Sequence, residues 1–132
     1  MRWIVIVLAA ALTALAVVGC GGSREATFGE DDGSVEVDAG DRFRIELAAS
    51  PGVGDDWSLT REPDPSVAVL VADGFRSDAG EDVVGAEGAE YFVFEAAAPG
   101  TTEIGFKYCY RGCGSAEGEP PERLVSFDVV VR

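Results

Sequence analysis

Within its 132 residues the chain carries 24 acidic side chains, 10 basic ones and no histidine, for a net charge of −14. Without histidine there is no Ser-His-Asp or Cys-His machinery and no histidine-ligated zinc site. A surface this acidic, with one lysine and no basic patch, repels phosphate backbones; it excludes nucleic acid as a partner and serves solubility.

The first element is Arg2 followed by an apolar run from Trp3 to Val18. One positive charge ahead of a hydrophobic stretch that ends in small residues reads as an export signal rather than as structure. The run is short for a bilayer span, which takes about 20 apolar residues. Its end, Val17-Val18-Gly19-Cys20, resembles the lipobox of bacterial lipoproteins. That resemblance implies cleavage before Cys20, a lipid on Cys20, and a protein held at the extracytoplasmic face of the cell membrane without crossing it. Residues 1–19 are thus expected to be a signal peptide. Residues 20–33, polar and rich in glycine and acid, read as a flexible tether, and residues 34–132 as one folded domain.

Short runs of alternating hydrophobicity fill that domain, with turn residues between them. Ser34–Asp38 is the first expected strand. Arg42–Ala48 alternates strictly, with Phe43, Ile45 and Leu47 on one face and Arg42, Arg44 and Glu46 on the other. Asp56–Thr60 centres on Trp57. Val67–Val71 follows the breakers Pro63 and Pro65. Ala89–Ala96 carries Tyr91, Phe92 and Phe94, and Pro99-Gly100 turns the chain. Thr101–Tyr110 places Ile104, Phe106, Tyr108 and Tyr110 on one face, and Glu122–Arg132 does the same with Val125, Phe127, Val129 and Val131. About seven strands with a turn about every ten residues, and no helical stripe, predict an all-β, immunoglobulin-like antiparallel sandwich. Its expected core includes Phe43, Trp57, Phe94, Phe106 and Phe127.

With Cys20 assigned to a lipid, Cys109 and Cys113 remain. An isolated close pair in an exported protein forms a disulfide. Here it would close a loop of Tyr110, Arg111 and Gly112, stiffening it more than it stabilises the whole domain. A metal site at the pair lacks further sulfur or nitrogen ligands. The acidic pairs Asp31-Asp32, Asp55-Asp56 and Glu81-Asp82 do not have the spacing a calcium loop requires. Ser50 and Ser115 have no base beside them. No enzyme activity, cofactor, metal or small-molecule substrate is expected.

Three glycine-rich connections are set apart by their composition, and by strand order all three belong to one end of the sandwich. They are Ser50–Trp57, Val84–Gly88 and the segment beginning Tyr108–Gly114. Together they resemble the chagasin family of cysteine-peptidase inhibitors. The family's first loop reads Asn-Pro-Thr-Thr-Gly-Tyr-x-Trp; Pro51, Gly54 and Trp57 match it, while Ser50 stands for the asparagine and Gly52-Val53 for the threonines. Its second loop reads Gly-x-Gly-Gly, against Gly85-Ala86-Glu87-Gly88. Its third motif runs from Ala-x-x-x-Gly to a strand ending Tyr-x-Arg-Pro-Trp. Ala96, Gly100 and Tyr108 fit, Arg111 falls one residue late, and Gly112-Cys113 replace the last two. The resemblance implies an immunoglobulin-like fold and a reversible, non-covalent mechanism in which three loops fill the cleft of a papain-like cysteine peptidase. Ser50, Pro51, Gly52, Val53 and Gly54 would lie over the nucleophile, with Val53 as the apolar tip. Gly85, Ala86, Glu87 and Gly88 on one side, and Tyr110, Arg111 and Gly112 on the other, would grip the walls. The other reading of the same residues is a non-inhibitory immunoglobulin-like envelope lipoprotein that binds another protein or ligand.

Overall fold

A computed structural model describes residues 24–50, 54–79, 87–110 and 123–132. These form eight strands: β1 (Glu25–Gly29), β2 (Ser34–Val37), β3 (Arg42–Ala49), β4 (Asp55–Arg61), β5 (Ala68–Ser77), β6 (Gly88–Ala96), β7 (Gly100–Tyr110) and β8 (Arg123–Val131). They lie in two four-stranded sheets, ordered β1-β3-β6-β5 and β2-β8-β7-β4. Alternation places the apolar side chains of both sheets between them, as a sandwich requires. Phe43, Ile45, Leu47, Phe94, Ile104, Phe106 and Phe127 are fully enclosed. The Phe43 and Phe94 rings stack at 5.2 Å. Phe92 of one sheet meets Phe106 of the other at 4.8 Å, and Phe106 meets Phe127 edge-on at 6.0 Å. The described residues therefore enclose a continuous core of their own.

The sandwich architecture is as the alternation predicts, with two differences. The sheets are mixed rather than wholly antiparallel: β1 pairs parallel with β3, and β2 parallel with β8. And residues 25–29, expected within the tether, form β1. That expectation is corrected by a register running from Glu25↔Arg42 to Gly29↔Glu46. The physical reason is Phe28, which lies in register with Ile45 and packs against the core from the sheet edge. One aromatic among polar residues suffices because an edge strand needs only one bonded neighbour and one apolar face.

Strand β5 runs six residues past the apolar run that announced it. It is an edge strand carrying a register shift between Leu70 and Ala72. Its second half is held by backbone pairing with β6 and by a fit at Gly74: a Cβ there would stand 2.5 Å from the Tyr91 hydroxyl, whose ring crosses the strand. Arg44 lies over that ring, 4.0 Å from its centroid. On the same outer face Glu46 of β3 receives both Arg44, at 3.0 Å, and Arg76 of β5, at 3.3 Å, and Arg76 continues to Asp78 at 2.8 Å. Exposed pairs contribute little singly, but a chain of them across three strands fixes the sheet's far edge.

Candidate functional site

The register fixes which connections share a pole. In one sheet Ala49 is opposite Gly88, and Gly88 opposite Ser77. In the other, Asp55 is opposite Tyr110, and Tyr108 opposite Arg123. Both sets meet in one open concavity lined in part by Ser50, Asp78, Glu87, Gly88, Tyr108 and Arg123. The chain therefore leaves and re-enters the described structure at a single end around segments 51–53, 80–86 and 111–122. The first of these connections crosses from one sheet to the other; the second and third join neighbouring strands, one pair in each sheet. The expected grouping of three loops at one end holds for every residue that flanks them.

Trp57 ties the three stems together. Its side chain is 4 % exposed. The indole N–H donates to the Ala48 carbonyl at 2.9 Å, linking the two sides of the first connection across the gap between the sheets. Its ring meets Tyr108 edge-on at 5.4 Å. The Arg123 guanidinium lies 5.4 Å from the Trp57 ring and 5.6 Å from the Tyr108 ring, a cation–π arrangement that joins the third connection to the first. Arg123 also pairs with Glu30, in the turn after β1.

The second connection joins the same centre through Glu90. This acid alternates with Phe92 and Phe94 and so points toward the gap between the sheets. Its Oε1 accepts the Trp57 backbone N–H at 3.0 Å, while Asp56 Oδ1 accepts the same N–H at 2.9 Å. Two carboxyl groups thus converge on one hydrogen. Partial burial, then the hydrogen bond and charge of Asp56, push Glu90 up to about 7; the Trp57 amide opposes the shift and the charge of Asp73 adds to it. The hydrogen bond Asp78 N–H to Glu87 O, 2.9 Å, closes the base of the second connection.

Of the expected contact residues, Ser50, Gly54, Glu87, Gly88 and Tyr110 flank the three openings. Gly54 has φ of +92°, a conformation that side chains rarely adopt, so this position needs glycine for the turn itself. Gly88 has an internal reason to be glycine as well. It is buried, and a Cβ on it would fall 2.0 Å from the Arg76 carbonyl oxygen. Its missing side chain is used by β5, which approaches from within the sheet. Pro51, Gly52, Val53, Gly85, Ala86, Arg111 and Gly112 lie outside the described residues, as do Cys20 and Cys113. Cys109 is the penultimate residue of β7, opposite Asp56. Sequence reasoning missed Glu90, Arg123 and Glu30. Glu90 left a signal, an acid on the apolar face of a strand. The other two left none, because their contacts join positions far apart in the chain.

Among the described residues, the sandwich thus gathers the stems of three connections at one pole and braces them with shared side chains. Residues 36–129 match the model of the family described as "Chagasin family peptidase inhibitor I42", and the chain belongs to that family. Its members are peptidase inhibitors and not enzymes. Among solved structures the chain is similar to the cysteine protease inhibitor EhICP2 from Entamoeba histolytica (TM-score 0.66, 20% identity, covering 83% of this chain and 97% of that one). It is also similar to Amebosin (0.53, 18%, 84% and 100%), and to PbICP-C, solved in complex with falcipain-2 (0.50, 15%, 83% and 91%). At these identities the likeness establishes the fold. No significant match is found among curated protein sequences.

Proposed function

We propose that this chain is a reversible, non-covalent inhibitor of papain-like cysteine peptidases. It works by inserting the first loop over the catalytic cysteine while the second and third hold the cleft walls. The observation that carries the reading is the convergence of all three loop stems on Trp57 at one end of a member of a peptidase-inhibitor family. A wedge of this kind binds because its surface exists before docking and loses little entropy on contact. Val53 is the apolar tip; Arg111 is the outer contact, arginine being a frequent hot-spot residue. A Cys109–Cys113 bridge would stiffen the loop that carries it. A lipid on Cys20, after removal of residues 1–19, would hold the inhibitor at the extracytoplasmic side of the membrane. The family match and the structural likeness to named cysteine protease inhibitors support the target class.

The test is a titration of residues 20–132, with Cys20→Ser, against papain. Inhibition should be reversible, should reach one-to-one stoichiometry, and should vanish in Val53→Asp without a change in melting temperature. No inhibition at micromolar protein would refute the reading and return the chain to a binding module of another kind. Labelling cells with a fatty-acid analogue tests the anchor: incorporation that persists in Cys20→Ser would refute it.

A further inference from the structure

Two features of the Glu90 site are unexplained by a purely structural role. An acid stands on the apolar face of β6, and it shares its hydrogen-bond donor with a second acid instead of meeting a cation. The charged groups acting on Glu90 are Asp56 from β4 and Asp73 from β5, both acidic. From β3 the residue in register is Leu47, and the residue in register on β5 is Phe75. From β7, Tyr108 lies against the Trp57 ring, and Arg123 of β8 is directed to those two rings and to Glu30. Glu90 Oε1 and Asp56 Oδ1 accept the same Trp57 N–H, at 3.0 and 2.9 Å, so the two carboxyl groups crowd one donor. Two ionised carboxylates crowded on one N–H repel each other, and a proton on the pair relieves that repulsion.

We propose that Glu90 is a positioning residue for the first loop: a proton held between Glu90 and Asp56 pins the start of β4 to β6 beside the second loop, which makes the inhibitor's grip on its target proton-dependent. The inference rests on the inhibitory reading above and deepens it. With the proton in place, β6 and β4 are joined at Trp57, three residues beyond Gly54. Once it is lost, two negative charges meet at a single N–H in a half-buried position. One carboxylate turns to solvent, and the link between the first and second loop stems is lost. The direction is fixed by the chemistry: grip is strongest where the pair holds its proton and weakens as pH rises through neutrality.

The experiment has two parts, so that failure of this inference can be told from failure of the inhibitory reading. First, the Trp57 amide and indole resonances of residues 20–132, with Cys20→Ser, are followed by NMR from about pH 5 to 9. They should titrate with one midpoint near neutrality, and the titration should be absent in Glu90→Gln, which keeps a neutral hydrogen-bonding group. Resonances that do not move overturn the shared proton, whatever the protein inhibits. Second, inhibition constants for papain are measured over the same range for the wild type and Glu90→Gln. The ratio of the two cancels the titration of the peptidase itself. It should change by about three- to tenfold between acid and alkaline limits, wild type weakening with pH. A constant ratio overturns the link to the loop even if the proton is present. Asp56→Asn, which supplies a neutral partner from the other side, should also flatten the profile; a wild-type profile in that variant overturns the assignment of the pair.

Discussion

Replacing Trp57 by phenylalanine isolates the bond on which the three stems depend. Phenylalanine retains an aromatic ring to meet Tyr108 and loses the N–H that reaches the Ala48 carbonyl at 2.9 Å. A partly buried acceptor left without its donor costs about 1–2 kcal/mol. The smaller ring also leaves a void of roughly 35 Å³, which at about 24 cal/mol per Å³ costs about 0.8 kcal/mol more. Together these give a loss of about 2–3 kcal/mol. For a domain of this size it should appear as a fall in melting temperature of about 10 °C. Urea unfolding followed by circular dichroism measures it directly, because the m-value should be unchanged while the midpoint falls. Inhibition of papain should weaken more than stability alone explains, since Ala48 and Trp57 stand on opposite sides of the first connection. A loss below about 0.5 kcal/mol would refute the argument, because it would mean that the indole bond does not hold the sheets together.

Gly88→Ala forces a Cβ to within 2.0 Å of the Arg76 carbonyl oxygen, a backbone atom in a paired strand, and should cost more than about 3 kcal/mol. Gly74→Ala meets only the movable Tyr91 ring, so it should cost about 1 kcal/mol, largely through the lost contact with Arg44; similar melting temperatures for the two variants would contradict both packing arguments. A chain starting at Ser34 loses β1 and the cover Phe28 gives the core, and should be less stable than residues 20–132 by about 1–3 kcal/mol in urea unfolding; equal midpoints would remove β1 from the fold. Glu90 is raised to about 7 from an ordinary value of 4.5. The folded state therefore holds this proton more tightly than the unfolded chain. Its contribution is fully present below about pH 4.5 and is lost as pH rises to about 7, so this part of the wild-type stability should fall across that window. In Glu90→Gln the same unfolding series should lose that component; an unaltered pH slope would show that Glu90 is not its source.

Most of the sandwich was legible because its strands obey a period of two with aromatic residues on the inward face. Phe43, Phe94, Phe106 and Phe127, expected in the core, are each fully enclosed, and Trp57 nearly so. What escaped has local physical causes. Strand β1 offers one apolar anchor, and its polar neighbours look like a linker until β3 is beside them. The second half of β5 is held by pairing and by the fit of Tyr91 over Gly74, neither of which follows from hydrophobic patterning. The position of the three openings could be read from strand order alone. The bracing of their stems could not, since Trp57 to Ala48, Glu90 to Trp57 and Arg123 to Glu30 each depend on contacts that only the folded register creates. The resemblance of the loops pointed to the right family; it could not show that Gly88 is already committed to packing against β5.

The parallel pairing of β1 has a further bearing on how the molecule is used. Because β1 runs in the direction of β3, Glu25 sits beside Arg42, and the Arg24 carbonyl accepts the Arg42 N–H at 2.7 Å. Ala49 and the openings beyond it stand at the other extremity of the same strand. Whatever grips this polypeptide ahead of residue 24 therefore holds it by its base. The described stems of the three openings stand at the opposite pole, so a support on that side leaves the far end clear.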